Sequence, residues 1–232
     1  MATGVAVVAA AVGAVVLLRR ASLRWGASDD ELRMALPGDD LLSDPDLVAT
    51  RAISIDAGPA DVWPWIAQLG QNRGGFYSYD WLENLVGVEI STADRIVPDL
   101  QMQAVGDAVD LAPGVALTVA ALEAERHLVL RGAVAIDGTG AGAGTGGAGT
   151  GAGAPYDFTW AFVLMPRSDG STRLVVRERY AYLTGWAAAL VEPVEMVSFL
   201  MTERMLRGIR DRAERTARPA ARDRSTSSPS AG

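Results

Sequence analysis

The chain has 232 residues, with 21 basic side chains against 28 acidic ones and a formal net charge of −7. It contains no cysteine and a single histidine, His127, and every basic side chain is arginine. Disulfides, thiolate nucleophiles, cysteine or histidine zinc sites and amine Schiff bases therefore cannot be built from this chain alone. The charge is also unevenly spread: residues 1–28 hold three arginines and no acid, the body from 29 to 200 is strongly acidic, and residues 201–232 are basic again. An acidic body repels phosphate backbones, so nucleic-acid binding is not expected, and no motif calls for a cofactor or a metal.

Residues 1–18 carry no charged side chain and are followed at once by Arg19, Arg20 and Arg24. As a helix they would be about 27 Å long at ~1.5 Å per residue, close to a hydrocarbon core of ~30 Å. This predicts a transmembrane anchor over 1–18, a juxtamembrane linker over 19–47, and a cytoplasmic body by the positive-inside bias. The alternative is a secreted or soluble protein, if the segment is a cleaved signal peptide or is not translated.

Thr50 to Asp56 alternates as a strand, and Gly58-Pro59 then opens a short helix, with Asp61 in its first turn and Pro64 inside it. From Val62 to Asn84 the chain concentrates six of its fifteen aromatic side chains: Trp63, Trp65, Phe76, Tyr77, Tyr79 and Trp81. Broken by Gly74, Gly75 and the lone cation Arg73, this segment suits either the mouth of an apolar cavity or ordinary core packing. Arg73 would meet an anionic head group or pair with a body carboxylate. Asp80, with Glu83 three residues on, reads as the start of a second helix.

Strands are predicted at Val105–Leu111, Val115–Leu122, Leu128–Ile136, Tyr156–Met165 and Thr172–Tyr182. Between two of them lies the tract 137–155, nearly pure Gly, Ala and Thr. It matches GxGxxG at Gly142, Gly144 and Gly147 only by composition and is read as a flexible loop inside one domain. A long helix begins near Glu192-Pro193, where Val194, Val197, Met201, Met205 and Ile209 form an apolar stripe that faces the sheet. Met196, Met201 and Met205 would give the closing helix an adaptable wall, or plain core. The tail 217–232 is polar and Pro/Ser-rich and is expected to be disordered.

Strand alternation sorts the faces. Tyr156, Phe158, Trp160, Phe162 and Leu164 share one face and are predicted to point inward. Leu174, Val176, Glu178, Tyr180 and Tyr182 also share a face, with Arg173, Arg177 and Arg179 opposite. Glu178 thus falls among apolar neighbours, which requires a partner, a raised pKa or access to water.

The order of these elements, with TRAISIDA, GPADVWPWIAQL, NRGGFYSYDWLEN, RIVPDLQ, VGDAV, the Trp160 strand and TRLVVR, resembles the SRPBCC superfamily over residues 48–215. These are the START-like or Bet v 1-like helix-grip domains, which include polyketide cyclase and dehydrase-like proteins. The resemblance implies an α+β helix-grip fold over 48–216: a curved antiparallel β-sheet wrapped around a long C-terminal helix, two short helices after the first strand, and a deep cavity between sheet and helix. That superfamily holds lipid carriers, receptors, cyclases and members of uncharacterised role on one scaffold, so function must be argued from the site.

Two functional readings follow, with a third as the plain alternative. The first is a membrane-tethered binding module for a hydrophobic or lipid-like small molecule, with Arg73, Phe76, Tyr77, Tyr79, Trp160, Phe162, Glu178, Tyr180, Met201 and Met205 around it. The second is a cyclase, aromatase or dehydratase in which Glu178 or Asp80 acts as general acid or base. The third is a structural or regulatory partner whose cavity is filled by its own side chains.

Overall fold

Strands carrying apolar residues on one or both faces form most of the framework in this computed structural model, which describes residues 2–71, 73–78, 92–102, 104–112, 115–133, 135–136, 142–143 and 154–226. Six strands make one antiparallel sheet: β1 (Leu47–Ile55), β2 (Ala108–Ala112), β3 (Val115–Glu123), β4 (His127–Ala133), β7 (Tyr156–Pro166) and β8 (Thr172–Tyr182). Two very short strands, β5 (Ala135–Ile136) and β6 (Gly142–Ala143), pair separately. The sheet order is β1-β8-β7-β4-β3-β2, so the first strand closes against the last and the intervening strands run as a meander. Helix α3 (Pro59–Ala67) follows β1, with Pro59 at its first position and Pro64 inside it, and a long helix, Ala187–Thr226, closes the chain.

The fold is therefore α+β, a six-stranded antiparallel sheet against a long C-terminal helix. That helix starts earlier than Glu192-Pro193, because Ala187 and the residues after it extend it N-terminally and leave Pro193 within the helix. It also runs to Thr226, past the Pro/Ser-rich boundary at Ala217. Alanine and arginine, both good helix formers, dominate that stretch. The second short helix, expected from Asp80, lies outside the described residues, as do Tyr79, Trp81 and most of the Gly tract.

The concave face of the sheet, α3 and the C-terminal helix enclose the main core, which includes Ile55, Val62, Ile66, Leu117, Leu128, Phe162, Leu174 and Leu206. On the C-terminal helix the buried positions are Val191, Glu195, Thr202, Met205, Leu206, Ile209 and Ala213. Val197 and Met196 are 46% and 42% exposed and turn away from the sheet, so the inward stripe differs from the one the apolar spacing suggests. Its first half is polar.

The convex face is covered by residues 24–46. Ser28 begins helix α2 (Asp29–Arg33) with a reciprocal capping box: its hydroxyl accepts from the Glu31 backbone N–H, and its own N–H donates to the Glu31 carboxylate. Three arginines on the outward face of β8 hold this segment down. Arg173 pairs with Glu31, Arg177 pairs with Asp39 at 2.6 Å and also donates to the carbonyls of Glu31 and Met34, and Arg179 reaches Asp39 and the Leu42 carbonyl. Leu36 completes a small second core with Ala52, Val163 and Val175.

The N-terminal helix α1 (Ala2–Leu23) meets the body through its last turn. Arg19 pairs with Glu192, and Leu23 and Trp25 pack on the main core. Val15, Val16, Leu17 and Leu18 are exposed on it. Among the described residues no helix is long and apolar enough to cross a membrane, so the span expected over 1–18 gains no support from the fold.

The hydrogen bond from Arg173 holds the Glu31 carboxyl at about 2, below its usual 4.5. A carboxyl lowered in the folded state stabilises above its unfolded pKa, and that stability is lost as pH falls through the folded value. Unfolding midpoints of the wild type are expected to drop between pH 4.5 and 2, and Glu31→Gln to remove part of that drop while lowering stability at neutral pH. Urea titrations across this range check it.

Candidate functional site

Within β1 the alternation that buries Ile53 and Ile55 also sends Arg51 to the concave face, opposite Val176 and two pairs along from Ala49 and Glu178. Arg51, Glu178 and Glu195 are each only 1% exposed. The Arg51 guanidinium donates through Nη1 to Glu178 Oε1 at 3.0 Å, through Nη2 to Glu195 Oε1, and through Nε to the Ser22 carbonyl at 3.0 Å. The Phe199 ring lies 5.5 Å from its centre. Strand β1, strand β8, the C-terminal helix and the end of α1 thus meet at one buried cation.

The two carboxylates are supported unequally. Besides Arg51, Glu178 accepts from the Tyr180 hydroxyl at 3.1 Å, the Ser198 hydroxyl at 3.2 Å and the Thr202 hydroxyl at 3.1 Å. Ser198 and Thr202 project from the C-terminal helix on the same side as Glu195, which explains why polar residues stand at the start of its inward stripe. Glu195 has the Arg51 contact, and its second oxygen is buried without a hydrogen-bond partner among the described residues. Burial raises the Glu195 carboxyl above its usual range, and the charge of Arg51 only partly offsets this. Burial and the neighbouring Glu178 charge push the Tyr180 phenol well above its ordinary value, so it stays a donor.

From Tyr180 a continuous aromatic wall crosses the concave face. Tyr156 and Phe158 lie 5.7 and 4.7 Å from Tyr180, ring centre to ring centre. Phe158 is 6.4 Å from Trp160, which in turn sits 4.8 Å from Phe162 and 6.3 Å from Phe76. All are tilted pairs in the range where aromatic contacts are favourable. Trp160 pairs directly with Glu178 across β7 and β8, and its indole nitrogen is buried without a partner among the described residues.

The predicted residues thus divide. Phe76, Trp160, Phe162, Glu178 and Tyr180 come together on this face, Met205 is buried in the adjoining core, and Met201 is partly covered. Arg73 lies elsewhere in its contacts: it donates to the carbonyls of Leu100 and Ala108, and neither a head group nor a carboxylate is needed to explain it. Tyr77 is a packing residue, wedged edge-on against Trp65 at 5.9 Å and under Arg212 at 4.8 Å. Its φ of 55° is held where Gly208 lets the helix approach: a Cβ there would lie 2.5 Å from the Tyr77 carbonyl oxygen. Tyr79 and Asp80 lie outside the described residues. Arg51 and Glu195 are the functional candidates that the sequence reading missed. Their signals were Arg51 in phase with Ile53 and Ile55, and Glu195, Ser198 and Thr202 in phase with Met205 and Ile209.

Among the described residues no group of three metal-ligating side chains comes together. The site offers a charge-balanced polar end, an aromatic wall and two unpartnered polar atoms.

Removing one member of a buried ion pair leaves the other uncompensated, typically at about 3–5 kcal/mol. Arg51→Met is expected to destabilise by about that much. The loss should deepen as pH rises, since burial raises the Glu195 carboxyl, Arg51 no longer offsets it, and a raised carboxyl costs no stability only while protonated. The triple variant Arg51→Met, Glu178→Gln, Glu195→Gln should recover most of it. Chemical unfolding at several pH values measures both.

No protein-family model matches the chain, and no curated protein matches it. Solved structures similar to it include DynU16, a protein in the dynemicin biosynthetic locus, at 15% identity over 70% of this chain with a TM-score of 0.39. The alignment spans 47% of the DynU16 chain, about half its length. A hypothetical protein of Helicobacter pylori is similar at 11% identity, over 78% of this chain and 95% of its own, with a TM-score of 0.45. A protein from Thermus thermophilus is similar at 13% identity, over 74% of this chain and 99% of its own, with a TM-score of 0.38. Likenesses this distant carry no argument about activity, and the description of the fold rests on the strand order and register given above.

Proposed function

We propose that this chain is a binding module for an apolar or lipid-like small molecule, held between the concave face of the sheet and the C-terminal helix. The observation that carries the reading is the aromatic wall from Phe76 through Trp160 and Phe162 to Tyr180, with the buried Trp160 N–H left unpartnered among the described residues. Other buried donors, Trp65 Nε1 among them, are also unpartnered among the described residues; the Trp160 donor is the one set within the aromatic wall, and leaving such a donor unmet costs roughly 1–3 kcal/mol. A ligand oxygen would satisfy it, while the rings supply area and shape.

Binding is favoured over acid–base catalysis by Glu178, because that carboxylate is already occupied by four donors and has no free lone pair aimed at a substrate. On this reading the protein carries its ligand near a membrane. The exposed Val15, Val16, Leu17 and Leu18, followed by Arg19 and Arg20, support a helix that enters the bilayer from a body docked at its last turn.

Nile red, an uncharged apolar dye, is expected to bind the purified full chain with a blue-shifted emission. Trp160→Ala should weaken that binding at least about tenfold, a loss of ~1.4 kcal/mol. A chain that takes up no dye and leaves native mass spectrometry without bound apolar mass would contradict the reading. Separately, the full chain should float with liposomes while the chain lacking residues 1–18 stays in the soluble fraction. Equal flotation of the two would remove the anchor from the account.

A further inference from the structure

The charge state of the polar end restricts what that end can receive. Among the described residues of the strands, Arg51 is the cation on the concave face; Arg131, Arg173, Arg177 and Arg179 belong to the opposite face by register. Every nitrogen of Arg51 is engaged, on Ser22, Glu178 and Glu195, so it has no open side for an anion. The cations that border the aromatic end are committed too: Arg73 to two carbonyls, and Arg212 to the Ala93 carbonyl, Asp94 and the Tyr77 ring.

Two carboxyls face this one guanidinium at 1% exposure. If both were ionised, a surplus negative charge would be buried without a counterion, a state proteins avoid by retaining a proton. Geometry decides which group keeps it. Glu178, with Arg51 and three hydroxyl donors, is built to be a carboxylate. Glu195 has one oxygen on Arg51 and one with no partner among the described residues, the arrangement of a carboxylic acid with its proton free to donate. The burial of Glu195 raises its pKa in the same sense. Around it stand Arg51 from β1, Glu178 and Tyr180 from β8, Arg19 and the Ser22 carbonyl from α1, and Glu192 from its own helix.

We propose that the ligand of this site is uncharged and presents a hydroxyl or carbonyl oxygen to it, because Arg51, ionised Glu178 and protonated Glu195 already sum to zero and the free polar atoms are donors. This rests on the binding reading above. A carboxylate or phosphate would bring a net charge into a sealed, balanced site, whereas an alcohol or ketone oxygen can accept from the Trp160 indole or the Glu195 acid without altering the balance.

Two measurements test it. In the infrared, Glu195→Gln should abolish a protonated-carboxyl carbonyl band that the wild-type chain shows at neutral pH, with the unfolding midpoint little changed. A wild-type spectrum without that band overturns the protonation assignment, and needs no ligand to do so. In solution, decanol and decanoate at pH 8 compete for bound Nile red. The alcohol is expected to displace the dye at a concentration at least tenfold below that of the carboxylate, and Glu178→Gln with Glu195→Gln, which leaves Arg51 uncompensated, should shrink that preference at least tenfold. A smaller or reversed preference in the wild type overturns the inference while the binding reading stands, as does an unchanged preference in a folded double variant. If neither Nile red nor decanol binds, the binding reading falls and the inference falls with it.

Discussion

A guanidinium sealed from water is the constraint around which the rest of this protein is arranged. Arg51 cannot be buried unless its donors are met, and the acceptors come from three separate elements: the Ser22 carbonyl at the end of α1, Glu178 on β8, and Glu195 with the face of Phe199 on the C-terminal helix. Each acceptor must then be satisfied in turn, which is why Ser198 and Thr202 stand on the inward side of a helix that would otherwise present an apolar stripe. A buried ion group of this kind is weak evidence for stability in itself, since well-packed apolar residues of the same volume often do as well. Its effect here is positional. It fixes the register of the closing helix against the edge strand and joins the last turn of α1 to the same point.

The two faces of β8 show the same chemistry put to different ends. Outward, Arg173, Arg177 and Arg179 pin residues 24–46 across the sheet through Glu31, Asp39 and a set of backbone carbonyls. Those contacts cover the convex face and leave no ligand to explain. Inward, Glu178 and Tyr180 stand at the end of an aromatic wall whose far side includes an indole unpartnered among the described residues. The difference between the faces is satisfaction: one is closed by the chain itself, the other retains unused donors.

Much of the architecture was legible from alternation alone. Thr172–Tyr182 was read to its observed ends, and the period-two pattern placed Trp160, Phe162, Glu178 and Tyr180 on one face as found. What escaped was the partner set. For a polar residue in phase with apolar ones, such as Arg51 beside Ile53 and Ile55 or Glu195 ahead of Met205, the pattern gives a face but no partner, and only the fold reveals that two such residues meet. The segment 19–47 was opaque for a related reason. It has no apolar stripe of its own, and although Ser28 and Glu31 form a capping box, what holds the segment in place is charge on a strand more than a hundred residues later. Arg73 and Tyr77 are engaged by the protein itself, the first through carbonyls of neighbouring segments and the second through packing against Trp65 and Arg212, and neither partner set is visible in the local sequence.

The central claim is that the aromatic face receives a ligand instead of closing on itself. A crystal structure of the full chain grown with a long-chain alcohol tests it most directly. The account predicts continuous density along Phe76, Trp160 and Phe162, with the alcohol oxygen within hydrogen-bond reach of the Trp160 indole nitrogen. Rings packed against the C-terminal helix with no space between them, and an indole nitrogen met by the protein's own oxygen, would contradict it.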